Sequence, residues 1–122
     1  MNVNDYLAKQ YPNPPCWALV ADVYAGELGQ NVTEYRTINN TLRAIASAFR
    51  IAMYKGQHGL EQLDEPVDFA IVLLGRSRSL GLHHCGVFYE GKVLHALADG
   101  NLYQDMASLG DTYQVMQFWG RQ

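Results

Sequence analysis

The stretch at positions 81–96, GLHHCGVFYEGKVLHA, holds three of the chain's four histidines, His83, His84 and His95, and one of its two cysteines, Cys85. The other cysteine, Cys16, follows Pro14-Pro15 and opens the apolar run CWALVADVYAGELG. A thiol at the start of a helix feels the positive end of the helix dipole, and a neighbouring imidazolium stabilises its thiolate further, so it becomes a nucleophile near neutral pH. A histidine on a facing strand can hold the exchanged proton and return it to a leaving amine, while a third polar group fixes that histidine's tautomer. Cys16, His84 and His95 are the residues suited to these three roles. Two other readings remain open on residue types alone. Cys16 could be a small buried apolar side chain and the histidines hydrogen-bonded structural residues. Zinc could be held by His83, His84, Cys85 and His95, although neighbours in a strand point apart and neither CxxC nor HxxxH spacing is present.

The spacing within the histidine segment favours a hairpin. If Glu90-Gly91 form a two-residue turn, Tyr89 pairs with Lys92, Phe88 with Val93, Gly86 with His95 and His84 with Leu97. Paired residues share a face, so His84 and His95 project from one side at a diagonal separation of roughly 7 to 8 Å. Gly86 leaves space between them. By strand alternation His83 and Cys85 point the other way, outside that site. A three-residue turn would separate the two histidines, so the count rests on turn length.

The elements that must position these groups follow from periodicity. Trp17, Val20, Ala21, Tyr24 and Leu28 recur at helical spacing, with Pro14-Pro15 before them and Gly29 suited to end the helix, so Cys16 lies at a helix start. A second helix is expected in TINNTLRAIASAFRIAMYKG, with Leu42, Ile45, Ala46, Phe49 and Met53 on one face. After the loop QHGLEQLDEP the pattern becomes β: VDFAIVLLG, HHCGVFYE, KVLHALA and TYQVMQFWG, with a helical turn around Gln104 to Leu109. Helices first and strands afterwards predict an α+β fold with an antiparallel sheet. Tyr6 and Tyr11 suit either a cleft lining or the surface of an N-terminal arm.

The chain has 122 residues, 48% of them hydrophobic, and a formal net charge of −3, which suits one domain with one core. That charge gives no electrostatic footprint for nucleic acid, and the small basic cluster GRSRS reads as a solvated loop. There is no positively charged n-region followed by an apolar h-region, and no run near the ~20 apolar residues that span a bilayer. The expectation is a protein made in the cytoplasm, with both thiols reduced, and no membrane partner.

PCWALVADVYAGELG resembles the nucleophile helix of NlpC-type cell-wall peptidases, a group of papain-like cysteine peptidases, and in particular the peptidase module of phage tail-tip assembly proteins. HCGVFYEGKVLHA is similar to that family's His-Val-Gly-Ile-Tyr strand, short turn and Ile-His-Ala strand. The resemblance extends over nearly all of residues 1–122, read as a single peptidase domain. It implies a papain-like fold with the nucleophile helix packed on an antiparallel sheet. It also implies Cys16 as nucleophile, His84 as base, His95 as orienting residue, no cofactor or metal, and hydrolysis of an amide in a peptidoglycan stem peptide. Phage tail-tip proteins are the implied partners, and the virion tail, acting on the cell wall, the implied place of action. Pro15, Ala18 and the valine of EPVDFAIVLL depart from the family pattern without removing a catalytic atom. A peptidoglycan amidase toxin delivered by a contractile secretion system, and a non-catalytic tail assembly protein on the same fold, are the alternatives.

Overall fold

The computed structural model describes residues 1–12, 15–32 and 60–120. Helix α2 spans Pro15–Leu28, where the periodicity predicts a helix, and a short helix α1, Val3–Leu7, precedes it. The second helix expected from the sequence lies outside the described residues. Six strands follow: β1 (Glu61–Leu63), β2 (Ile71–Gly75), β3 (His84–Tyr89), β4 (Lys92–Leu97), β5 (Gly100–Asp105) and β6 (Val115–Gly120), with helix α3 (Met106–Thr112) between the last two. They form one antiparallel sheet in the order β1-β6-β2-β3-β4-β5, so the fold is α+β as expected.

Three details differ from the sequence reading. The segment read as the loop QHGLEQLDEP contains β1, which pairs with β6 at the sheet edge. The helical turn expected around Gln104 begins two residues later, because Asp105 caps α3 by accepting a bond from Ser108 N–H at 2.7 Å. Gln104 itself belongs to β5, a strand the pattern did not reveal. The strand expected from Val67 starts only at Ile71, because Phe69 sits at φ +68°, where the Tyr24 hydroxyl bonds its carbonyl at 2.5 Å.

Strand β2 is buried along its whole length, which explains its unbroken apolar run IVLLG. On one face α2 lays Trp17, Leu19, Val20, Val23 and Tyr24 over Ile71, Leu73, Cys85, Val87, Leu94 and Ala96. Leu28, expected on that face, is 36% exposed at the helix end. The buried residues instead group as Trp17, Leu19, Val20, Val23 and Tyr24, a stripe that includes Leu19 and Val23. Each fully buried aliphatic side chain here contributes about 1.5 to 3 kcal/mol, so truncating Leu19 at the centre would loosen α2 from the sheet. On the opposite face Val72, Leu74 and Val93 pack with Leu109, Tyr113, Met106 and Phe118.

The N-terminal arm is tied to the outer side of α2. Tyr6 donates to Glu27 Oε2 at 2.9 Å, and both Lys9 and Tyr11 bond Asp22 Oδ2 at 2.8 Å. Asn101 of β5 donates to the carbonyls of Tyr6, Leu7 and Lys9, ending α1. Tyr6 is therefore a buried anchor and Tyr11 a half-buried one.

Candidate active site

The hairpin turn is the two-residue one. Glu90 and Gly91 adopt φ +48° and +86°, the pair of left-handed conformations that matches strand twist in a tight hairpin. Glu90 N–H is also held by Asp68 Oδ1 at 2.9 Å. The register is the counted one: Tyr89 faces Lys92, Phe88 faces Val93 and Val87 faces Leu94.

Beyond Val87 the β3–β4 ladder stops, although β3 stays paired with β2 as far as His84 and β4 with β5 as far as Leu97. The two histidines lie just beyond the Val87–Leu94 pair, on adjacent strands. His84 Nε2 lies 2.8 Å from His95 Nδ1, with the rings nearly perpendicular at 76°. Gly86 is required, but not as the open space expected from the sequence. A Cβ there would meet Leu94 O and Val93 Cγ1, each at 2.7 Å, and His95 Cβ at 3.0 Å, so the missing side chain is filled by the approach of β4.

His95 Nε2 lies 2.6 Å from Gln104 Oε1. A carbonyl oxygen can only accept, so His95 carries its proton on Nε2 and its Nδ1 must accept from His84 Nε2–H. That leaves His84 Nδ1 outside the pair, and the His84 side chain is near enough to the Cys16 thiol to lower its titration. The ring of His84 also stacks on Tyr113 at 5.5 Å and 15°, which fixes its plane. A directional chain thus runs from His84 through His95 to Gln104, with Cys16 beside its first member.

Electrostatics agree with that direction. Burial, reinforced by the charge of His84, pulls His95 from 6.5 down to about 4, so it stays neutral near pH 7. Hydrogen bonds from the Cys85 thiol and from His84, with the positive charge of His84, hold the Cys16 thiol well below its ordinary range despite burial. Cys85 goes the other way: burial and the neighbouring Cys16 keep it protonated. Cys16 is the second residue of α2, where the helix dipole also favours the thiolate. Its N–H is one of the four that a helix leaves without an internal acceptor, and is suited to bind an oxyanion.

Cys16, His84 and His95 are therefore brought together. Cys85 is a correction: alternation along β3 had set it outside the site, yet its thiol lies beside Cys16 and is the largest influence lowering that thiol's titration. It lies on the sheet face that α2 covers, and the helix start reaches both Cys85 and the adjacent His84 at the beginning of the strand. His83 is a structural residue. Its Nε2 accepts from Arg76 N–H at 3.1 Å and its own N–H bonds Leu74 O at 2.9 Å, bracing the turn between β2 and β3. The four residues of the zinc reading are thus divided between different tasks, and among the described residues no group of three or more metal-ligating side chains forms. Gln104 and Tyr113 were not anticipated. Gln104 faces Val93 across β4–β5, one diagonal from His95, but that relation is legible only once β5 is recognised.

No protein-family model, curated protein or solved structure matches the chain. Among the described residues no helix is long and apolar enough to cross a membrane.

Proposed function

We propose that the chain is a thiol peptidase of papain-like architecture that hydrolyses an amide bond in peptidoglycan stem peptides as part of a phage or prophage tail. The observation that carries the reading is the bonded series His84, His95, Gln104, with the Cys16 thiol close enough to His84 for that side chain to lower its titration. A helix with a cysteine at its start, packed on an antiparallel sheet with a histidine on a neighbouring strand, supports the papain-like reading. The peptidoglycan substrate and the tail context rest on the sequence resemblance.

In the reaction the Cys16 thiolate attacks the scissile carbonyl carbon, and the Cys16 N–H stabilises the oxyanion that forms. His84 gives the proton held on its Nδ1 to the departing amine, leaving a thioester on Cys16. Water then loses a proton to His84 and attacks the thioester, and collapse of the intermediate expels the Cys16 thiolate and frees the acid, restoring the thiolate beside protonated His84. His95 keeps Nε2–H of His84 engaged throughout, so the ring neither rotates nor changes tautomer. General acid–base assistance of this kind contributes roughly 10²- to 10⁴-fold, and an oxyanion donor a comparable factor.

Digestion of purified peptidoglycan, read by mass spectrometry of the released muropeptides, tests the reading and identifies the bond. Wild-type protein should release fragments cut within the stem peptide, and Cys16→Ala and His84→Ala should release none while keeping the wild-type circular dichroism spectrum. Fragments released by Cys16→Ala would refute it.

A further inference from the structure

Peptide hydrolysis needs one thiol, and the site contains two. Both cysteines are free and buried, both belong to the core cluster where α2 packs on β3, and each thiol shifts the other's titration as an adjacent group does. Cys85 exposes no surface and Cys16 only 4%, so the nearest thiol to Cys16 is one that nothing from solvent can reach directly. A second sulfur poised against a thiolate is the arrangement by which a sulfenic acid is resolved into a disulfide.

We propose that Cys16 and Cys85 form a peroxide-reactive pair, with Cys16 as the attacking thiolate and Cys85 as the resolving thiol, which closes reversibly into an intramolecular disulfide. In the first step Cys16 sulfur attacks one oxygen of hydrogen peroxide. The S–O bond forms, the O–O bond breaks, and the leaving hydroxide takes a proton from His84 to depart as water. Sulfur has lost two electrons and peroxide has gained them. In the second step the Cys85 thiol attacks the sulfur of the Cys16 sulfenic acid. The S–S bond forms, the S–O bond breaks, and the hydroxide leaves as a second water with the proton of Cys85. A dithiol reductant reverses the change.

Contraction from non-bonded separation to a bond of about 2.05 Å draws the start of α2 toward β3. It also removes the sulfur from His84, so the oxidised protein has no nucleophile. Because Cys85 fills the position next to the oxidised sulfur, Cys16 is shielded from further oxidation and from disulfides between molecules.

The test exposes reduced wild-type protein to a small molar excess of hydrogen peroxide, then denatures it in iodoacetamide and dimedone for peptide mass spectrometry. The expected result is parallel loss of both alkylatable thiols, an intact mass lower by two hydrogens, a linked peptide pair containing Cys16 and Cys85, and recovery of both thiols with dithiothreitol. In Cys85→Ser the expected product is a dimedone adduct on Cys16, giving way to sulfinic acid. A wild-type protein that accumulates the Cys16 adduct while Cys85 remains alkylatable, that forms linked dimers, or whose thiols are both untouched would overturn the proposal. The wild-type thiol count decides the matter even if Cys85→Ser fails to fold. None of these readouts depends on hydrolysis, so the outcome stands apart from the peptidase reading.

Discussion

Acidification should weaken the fold through His95. Its ordinary value of 6.5 falls to about 4, first through burial and then through the charge of His84, while the Gln104 hydrogen bond opposes both. The unfolded chain takes up this proton near 6.5 and the folded chain only near 4, so between those values the unfolded state binds more protons and stability rises with pH. The contribution is fully present above about pH 6.5 and is lost as pH falls through the interval down to about 4. At about 1.4 kcal/mol per pH unit the interval corresponds to roughly 3 kcal/mol, a large share of the ~5 to 15 kcal/mol typical of a domain. His83, also lowered chiefly by burial, adds in the same direction. Urea unfolding of wild type and of His95→Gln, measured from about pH 7.5 down to about pH 4, isolates the effect because glutamine does not titrate there. The stability advantage of wild type over the variant should shrink by roughly 3 kcal/mol across that range. An advantage that stays constant with pH would refute the claim that His95 is held neutral.

Gln104→Leu removes the acceptor of a buried N–H and should cost about 1 to 3 kcal/mol of stability. Turnover should fall about tenfold with KM nearly unchanged, whereas Gln104→Glu, which keeps an acceptor, should recover most of kcat in steady-state assays. Gly86→Ala forces β4 away from a Cβ that would stand 2.7 Å from Leu94 O. The expected loss is about 1 to 3 kcal/mol in urea unfolding, together with a weakened His84–His95 bond visible in imidazole nitrogen shifts. Cys85→Ala deletes the largest hydrogen-bonding influence on the Cys16 thiolate, so the pH profile for alkylation of Cys16 should move upward. An unmoved profile would place the stabilisation entirely in His84 and the helix.

The parts legible in the sequence were those set by local chemistry. Pro15 and the helical spacing of the apolar residues after it define α2 and put Cys16 at its start, and Glu90-Gly91 dictates the tight turn that aligns His84 with His95. Cys85 was misjudged because alternation tells which face a strand residue takes, but not where a helix crosses that face. β5 was missed because its half-exposed residues alternate only weakly in hydrophobicity and because the helix signal from Met106 onward overlaps its end. With β5 went Gln104, a residue whose importance comes wholly from lying one strand beyond His95. Tyr113, stacked on His84, follows α3 and is brought to the site by the packing of that helix on the far face of the sheet.

The pH dependence of iodoacetamide labelling, with the modified residue identified by peptide mass spectrometry, tests most directly whether Cys16 is a thiolate served by His84. Labelling of wild type should occur at Cys16 alone and persist well below the ordinary thiol range, and His84→Ala should shift it toward that range. Selective modification of Cys85 at neutral pH, or a Cys16 profile indifferent to the loss of His84, would contradict the account.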